Sequence, residues 1–313
     1  MMGARTGSFL VAKSVTKELQ AMPQATETSA RVRLAPVFSG YADVNGIKLY
    51  HEIYGQGAPL VLLHGGLMTI GEMRTLLEAF AKTHKVIAVE LQGHGRTADS
   101  DRPLSFETMG DDIAALLNEL NIAQADIVGL SLGAAVGLRT AIQHPEKVRR
   151  LVVVSSPYAK RGWHSEAQEG MGNVSAAMAE NLMQTPTGIF SAQWTEPQRF
   201  PQFLDKMGKM MGASYDWSAD VKKLSMPVLL VFADNDSVSQ KHIAEFFALL
   251  GGGVKEPGWQ NTQLSKTRLA IVPGYSHYNF VSAPELAPII DKYLADPLTN
   301  PPAGTAVASH ADS

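Results

Sequence analysis

The chain has 313 residues, of which 45% are hydrophobic, and this favours a globular protein with a sizeable core. Its formal net charge is -3, so it lacks the positive balance that nucleic-acid phosphates require of a partner. It contains no cysteine, which excludes disulfide bonds, thiolate metal ligands and a cysteine nucleophile.

Both ends of the chain are predicted to be flexible tails, over residues 1–38 and 296–313. The first tail contains only the short apolar run Phe9–Ala12, well short of the apolar core of a secretory signal peptide, so we expect a cytoplasmic protein. The second tail is rich in Pro, Ala and Ser, a composition typical of disorder. No uninterrupted apolar stretch approaches the roughly 18 residues of a membrane span, and none is expected.

A regular pattern of strands and helices begins near Ser39. Two alternating segments flank Asn45 and Gly46, a pair that favours a two-residue hairpin turn. The apolar run Leu60–Leu63 then predicts a strand that is buried on both faces. After it, helix-like and strand-like segments alternate, which predicts an α/β fold with a mostly parallel, doubly wound sheet. The predicted elements are a helix over 71–82, a strand over 85–90, a helix over 106–120, a strand over 126–130, a helix from 132, and a strand over 150–156.

The alternation stops after Pro157. Helical patterns without a clear buried strand predict a helical cap over residues 158–220, inserted into a core made of residues 39–157 and 221–295. The core pattern resumes at Pro227 with a strand, a helix, a strand and a last helix that ends near Leu294. The segment 251–266 is longer than most connections of its kind, and a position beside the pocket is one interpretation of it.

Ser131 stands in the sequence Gly129-Leu130-Ser131-Leu132-Gly133, which fits the pattern G-x-S-x-G. A predicted buried strand leads into this pattern and a predicted helix follows it, which is the context of a nucleophilic serine. Small residues are needed because a side chain at either glycine would strike the neighbouring helix or strand. We therefore predict that the Ser131 hydroxyl lies above the sheet edge, beside the Leu132 amide, where an oxyanion would form.

A serine hydroxyl requires a base within hydrogen-bond reach, and the base requires an acid to orient it. His277 and Asp236 each follow a predicted strand, and the carboxyl ends of strands are where open α/β sheets place their sites. Asp234 is an alternative acid. The second oxyanion donor is expected in the loop after Leu63, where we favour the amide of Gly66 and keep Leu67 as the alternative.

These motifs resemble those of the α/β-hydrolase fold family, in its capped, esterase-like branch, over roughly residues 40–295. The resemblance is carried by LLHGG (62–66), VIAVELQGHGRT (86–97), VGLSLGAA (128–135), HPEKVRRLVVVSS (144–156), PVLLVFADND (227–236) and VPGYSHY (272–278). It implies that Ser131 forms a covalent acyl-enzyme, that His277 activates the water that hydrolyses it, and that Asp236 holds the imidazole.

The chain departs from similar proteins at a few positions. Glu90 and Gln92 replace an Asp and an Arg that are common there, and neither is assigned a role. Ala233 stands where a glycine often leads the segment that carries the acid. The resemblance also implies that His64 and His94 form structural hydrogen bonds rather than acting as catalysts.

Neither a metal nor a cofactor is expected. The remaining histidines lack the spacing of a metal site. The glycines of YGQGAP precede a strand and lack the following helix that would cradle a dinucleotide.

The wall of the substrate pocket is expected to be apolar, because caps in similar proteins cover the pocket and this cap is rich in aromatic residues and methionine. Such a wall favours a hydrophobic ester over a highly charged substrate. Core packing at helical spacing is the competing interpretation of the methionines. The candidate substrate-binding residues are Leu67, Met68, Trp163, Phe190, Trp194, Met207 and Tyr278, with Phe203, Met210, Met211 and Trp217 as further cap residues to place.

The sequence therefore predicts a serine hydrolase that cleaves a small or hydrophobic carboxylic ester or lactone. The same residues could hydrolyse a C–C bond or an amide, or catalyse perhydrolysis. A ligand-binding receptor that retains the triad is an alternative of another class. Serine in place of aspartate disfavours chemistry through an alkyl-enzyme, and the sequence leaves a homodimer open.

Overall fold

The computed structural model describes residues 34–184 and 196–299. Within them, the strands are β1 Phe38–Val44, β2 Ile47–Tyr54, β3 Ala58–Leu63, β4 His84–Val89, β5 Ala125–Leu130, β6 Val148–Val154, β7 Val228–Asn235 and β8 Arg268–Ser276. They form one sheet in the order β1-β2-β4-β3-β5-β6-β7-β8. The hairpin β1-β2 is antiparallel and pairs antiparallel with β4, whereas the strands from β4 across to β8 are parallel. The predicted mostly parallel sheet is confirmed.

Helices cover both faces of this sheet. The helices are α1 Arg74–Phe80, α2 Phe106–Glu119, α3 Leu132–Gln143, α4 Ser165–Gly172, α5 Ala179–Met183, α6 Phe200–Gly212, α7 Ser218–Val221, α8 Gln240–Leu249 and α9 Leu286–Ala295. One hydrophobic cluster joins one face of the sheet to α2, α3, α6 and α8, and a second joins the other face to α1 and α9. No helix in the described ranges is long and apolar enough to cross a membrane.

The continuous apolar runs of the sequence become the central strands because both of their faces are covered. Successive residues of β3 alternate between the two clusters, so that Leu60 and Leu62 belong to one, and Val61 and Leu63 to the other. All four side chains are therefore buried. This two-sided burial explains why such a segment is an unbroken apolar run rather than an alternating one.

The boundaries of the predicted tails need small corrections. β1 begins at Phe38, and the Val37 amide donates to the Ile53 carbonyl (2.7 Å), so the fold starts slightly before residue 39. At the other end, Pro297–Thr299 form a 3-10 turn, and the buried Thr299 hydroxyl donates to the Tyr293 carbonyl (2.8 Å). The predicted tail at 296–313 therefore begins too early, because its first residues pack against α9.

The segment 251–266 does not lie beside the catalytic edge of the sheet. It leads into the amino end of β8, where Arg268 pairs with Leu229 at the start of β7. The predicted site residues follow the carboxyl ends of the same strands, roughly 25 Å away at about 3.3 Å per residue. Our interpretation of this loop as a border of the pocket is wrong.

The segment between β6 and β7 contains α4 to α7, and no strand among its described residues. Its longest helix, α6, buries Phe203, Leu204 and Met207 on one side. On another side of α6, Lys206 donates to the Asp99 carboxylate (2.8 Å) in the loop after β4. The division into a core and a cap over 158–220 stays a proposal that this arrangement supports.

Candidate active site

Ser131 lies at the sharp turn between β5 and α3. Its φ is 50°, a left-handed conformation that a non-glycine residue adopts only when its surroundings impose it. The Ser131 amide donates to the Val154 carbonyl (2.8 Å), which ties the turn to the neighbouring strand. A Cβ atom added at Gly129 would lie 2.3 Å from the Gly133 carbonyl oxygen, and one added at Gly133 would lie 2.5 Å from the His64 carbonyl oxygen. The two glycines therefore permit the close packing that holds this turn.

The structure brings Ser131, His277 and Asp236 together. The Ser131 hydroxyl lies 3.0 Å from His277 Nε2, and His277 Nδ1 lies 3.0 Å from Asp236 Oδ1. Because the carboxylate can only accept, Nδ1 carries the proton and Nε2 is left to accept the proton of the serine. The three residues come from the ends of β5, β7 and β8, which lie at the same edge of the sheet.

Asp236 is buried and well supplied with donors. Oδ1 accepts from His277 and from the Val238 amide (3.2 Å), and Oδ2 accepts from the Ser155 hydroxyl (2.5 Å) and the Ala233 amide (3.2 Å). Burial alone would raise the pKa of this carboxyl, but the hydrogen bonds and the charge of His277 outweigh it and hold the pKa below its usual value.

The alternative acid lies elsewhere. Asp234 is exposed, and its Oδ1 accepts a hydrogen bond from the Gly274 amide (2.9 Å) in the last part of β8. This contact holds the end of β8 against the end of β7. The geometry therefore favours Asp236 as the partner of His277.

Gly66 and Leu132 lie side by side next to Ser131. A Cβ atom added at Gly66 would be 3.8 Å from Leu132 Cβ. Leu132 is the first residue of α3, where backbone amides have no acceptor within their own helix. The Leu67 amide donates to His94 Nε2 (3.2 Å), so it is already engaged. Of the two predicted alternatives, the geometry favours Gly66 as the second oxyanion donor.

His64 and His94 hold the loop that carries Gly66. His64 Nε2 accepts from the Leu91 amide (3.1 Å), and its Nδ1 lies 2.7 Å from the Gly65 carbonyl oxygen. His94 Nε2 accepts from Leu67, and its Nδ1 lies 3.1 Å from the Gln92 carbonyl oxygen. Burial lowers the pKa of both imidazoles, that of His94 to about 3. Both rings are therefore neutral, and their hydrogen bonds hold the loop that carries Gly66 in place.

Glu90 and Gln92 belong to a neighbouring polar network rather than to the triad. The buried Glu90 carboxylate accepts from the backbone amide and the guanidinium of Arg96. The Gln92 side chain donates to Asp99 (3.0 Å) and accepts from Arg102 (2.6 Å). These contacts stabilise the loop after β4, and neither side chain contacts a residue of the triad through them.

Apolar side chains surround the serine and the histidine. The Trp163 ring meets the His277 ring edge-on at 5.3 Å between centroids, and the half-exposed Tyr278 ring does so at 5.7 Å. A Cβ atom added at Gly65 would lie 2.8 Å from the sulfur of Met68 and 3.7 Å from Ser131 Cβ. The methyl group of Met207 lies over the α-carbon of Gly66, 2.9 Å from the position of a Cβ atom there.

Other predicted wall residues lie elsewhere. Trp217 packs against Phe106 and Tyr215. Phe203 packs against His94, one of the two histidines that hold the loop that carries Gly66. Met210 and Met211 pack into or against the hydrophobic cluster that contains α6. Phe190 and Trp194 lie outside the described residues.

Residues 162–164, shortly after β6, are bound to the loop that carries Asp236. The Ser239 amide donates to the Gly162 carbonyl, and the His164 amide donates to the Ser237 carbonyl, each at 2.9 Å. Between these bonds, Trp163 and Val238 form an isolated antiparallel bridge. We call residues 162–164 the anchor segment.

Two residues at the site were missed by the sequence reasoning. Ser155 donates to Asp236, and Tyr215 accepts a hydrogen bond from the Trp163 indole (3.1 Å). Ser155 lies near the end of the strand predicted over 150–156, which neighbours the strand of Asp236 in a sheet of this kind, and that position is a usable signal. Tyr215 carries no comparable signal, because its contact with Trp163 joins two residues that are distant in sequence.

A family model described as alpha/beta hydrolase fold matches residues 58–193. A pimeloyl-(acyl-carrier protein) methyl ester esterase from Nitrosomonas europaea is 26% identical over 260 residues, which are 76% of this chain and 95% of that protein. A 2-hydroxymuconate semialdehyde hydrolase from Pseudomonas sp. strain CF600 is 36% identical over 115 residues, which are 36% of this chain. That second match spans only 41% of the relative.

The same architecture occurs among solved structures. The crystal structure of a carboxylesterase from Bacillus subtilis superposes with a TM-score of 0.61 at 18% sequence identity. The superposition covers 92% of this chain and 97% of that one. At this level of identity the likeness concerns the fold alone.

Proposed function

Since the chain belongs to the α/β-hydrolase fold family, we propose that it is a serine hydrolase that cleaves a carboxylic ester through an acyl-enzyme on Ser131. The observation that carries this proposal is the pair of 3.0 Å contacts that link Ser131 to His277 and His277 to Asp236. This arrangement is what a serine hydroxyl requires in order to act as a nucleophile.

In the acylation step, Ser131 Oγ attacks the carbonyl carbon of the ester while His277 Nε2 takes the hydroxyl proton. The carbonyl oxygen gains the negative charge, which the amides of Gly66 and Leu132 stabilise. The C–O bond to the alcohol then breaks, the carbonyl re-forms, and the alcohol leaves with the proton from His277.

In the deacylation step, His277 Nε2 takes a proton from a water molecule that attacks the acyl carbon. The bond between that carbon and Ser131 Oγ breaks, and the serine recovers its proton from His277. The carboxylic acid is released. Asp236 stays ionised throughout and stabilises the imidazolium that forms in both steps.

The surroundings of the serine support an uncharged substrate near the scissile bond. Met68, Trp163 and Tyr278 lie near Ser131 and His277, and the Met207 methyl covers Gly66. None of these carries a charge that could pair with an ionised acyl group. We therefore propose a small or hydrophobic ester or lactone as the substrate class.

Turnover of p-nitrophenyl esters of increasing acyl length, together with labelling by a fluorophosphonate, tests the proposal. Wild type should hydrolyse the esters and carry the adduct on Ser131. Ser131→Ala should lose the label and at least roughly 10³-fold of kcat. A folded wild-type protein that neither turns over any ester or lactone nor becomes labelled would exclude the proposal.

Hydrolysis of a C–C bond is a second candidate, because one relative is named for a semialdehyde rather than an ester. The same triad could serve it, and so could amide hydrolysis or perhydrolysis. A panel of esters, lactones, amides and vinylogous diketones, compared between wild type and Ser131→Ala, separates these reactions. A preference for the diketones by kcat/KM would favour the second candidate over the ester.

A further inference from the structure

Ser155 is a fully buried residue immediately after β6, and it adopts an unusual backbone conformation. Its φ is 54°, and its amide donates to the Val231 carbonyl (2.9 Å) in β7. Its hydroxyl donates to Asp236 Oδ2 at 2.5 Å. A non-glycine residue held at positive φ costs free energy, and such residues concentrate at functional sites.

The donors around Asp236 divide evenly between its two oxygens. Oδ1 faces His277 and the Val238 amide, whereas Oδ2 faces the Ser155 hydroxyl and the Ala233 amide. A carboxylate has about four lone-pair positions, so this set fills them and prevents the group from rotating. Apart from His277, Ser155 is the one donor in the set that comes from a side chain.

The next residue provides a comparison within the same turn. Ser156 is also a serine and is 1% exposed, but its hydroxyl oxygen has no hydrogen-bond partner among the described residues. The two serines therefore differ in what their hydroxyls contact and not in burial. A role in packing alone would apply to both.

We propose that Ser155 is a positioning residue that fixes the Asp236 carboxylate and thereby sets the orientation and basicity of His277. This inference rests on the proposed function of the triad. The hydroxyl withdraws charge from Oδ2, so that the carboxylate holds the neutral imidazole without binding the imidazolium too tightly. Without it, the carboxylate rotates more freely and becomes more basic.

The test compares Ser155→Ala and Ser155→Gly with the control Ser156→Ala. Both Ser155 variants should lower kcat by about 10- to 100-fold with little change in KM. They should also move the acid limb of the kcat/KM profile upward by roughly half a pH unit or more, because a more basic carboxylate binds the imidazolium more tightly. Ser156→Ala should match wild type in both respects.

Glycine adopts positive φ without strain, so Ser155→Gly keeps the test valid where Ser155→Ala folds poorly. Ser155 variants within about twofold of wild type, with an unmoved acid limb, would overturn the proposal. So would a Gly variant that matches wild type while the Ala variant does not, because strain would then account for the effect.

A second measurement separates this inference from the proposed function. The Nδ1 proton of His277 in its hydrogen bond to Asp236 should give a downfield proton resonance, which requires no substrate. That resonance should move further downfield in Ser155→Ala, because a more basic carboxylate is a stronger acceptor, and it should stay in place in Ser156→Ala. Absence of ester turnover in wild type would count against the proposed function, whereas an unmoved resonance would count against the role of Ser155.

Discussion

Two buried carboxylates lie at opposite ends of the parallel strands, and they are neutralised in different ways. Asp126, at the amino end of β5, is flanked by the guanidinium groups of Arg149 and Arg150. Asp236, at the carboxyl edge, has a histidine and three neutral donors as partners. Asp126 is neutralised by two permanently charged arginines, whereas Asp236 has one partner, His277, that can gain and lose a proton. The same kind of residue thus serves stability at one edge and reactivity at the other.

Asp236→Asn should give the largest effect, and it should appear in activity. An amide at this position favours the wrong tautomer of His277, so kcat should fall by about 10³- to 10⁴-fold. The melting temperature should fall moderately, because the amide NH2 would face donors that now bind a carboxylate oxygen, but no permanent charge is left unpaired. Steady-state kinetics and thermal unfolding of the same preparation measure both quantities. A variant that retained most of the activity would show that Asp236 is not the acid of the triad.

Asp126→Asn should show the opposite pattern. It leaves two guanidinium groups near a neutral amide, and Arg150 is only 3% exposed, so the free energy of unfolding should fall by about 3–5 kcal/mol. Activity per folded molecule should match wild type at a temperature where the variant is folded. Urea unfolding monitored by circular dichroism gives the first quantity, and titration with a fluorophosphonate counts folded sites for the second. Equal losses of stability in Asp126→Asn and Asp236→Asn would contradict the proposed difference between these two carboxylates.

The buried histidines near the catalytic edge should make stability depend on pH. The pKa of His94 is about 3 in the folded protein against an ordinary value of 6.5, because burial and the neighbouring His64 disfavour its charged form. Above pH 6.5 His94 is neutral in both the folded and the unfolded protein, so it does not change the free energy of unfolding. Below pH 6.5 His94 binds a proton in the unfolded chain but not in the folded protein, so the free energy of unfolding falls by about 1.4 kcal/mol per pH unit.

His94→Gln isolates this contribution, which vanishes at neutral pH and is there the smallest of the three expected effects. Glutamine can accept from Leu67 and donate to the Gln92 carbonyl, but it does not titrate. Between pH 6.5 and 4 the stability of the variant should therefore fall less steeply than that of wild type. Parallel curves from urea unfolding across that range would show that His94 is not held neutral by the fold.

The sequence predicted the parts of the molecule that depend on local pattern. Apolar runs such as Leu60–Leu63 indicated the central strands, and the glycines around Ser131 indicated the sharp turn. The three residues of the triad were predicted because each follows a strand, and parallel strands end at one edge. Their roles remain proposals, but the structure brings them within hydrogen-bond distance.

What the sequence did not predict depends on contacts between distant segments. The Ser155 hydroxyl reaches Asp236 only because β6 and β7 are neighbours, and the positive φ of Ser155 leaves no mark in the sequence. The segment 251–266 was misplaced because loop length carries no information about which edge a loop occupies. Strand direction does carry it, since a loop that precedes a parallel strand lies at the amino edge.

The anchor segment contacts the surroundings of both the acid and the base of the candidate triad. The backbone bonds of Gly162 and His164 hold the loop that carries Asp236, and the indole of Trp163 lies against His277. A displacement of residues 162–164 would therefore disturb the surroundings of Asp236 and His277 together. Any motion of the segment between β6 and β7 that leaves these two residues in place has to leave residues 162–164 in place as well.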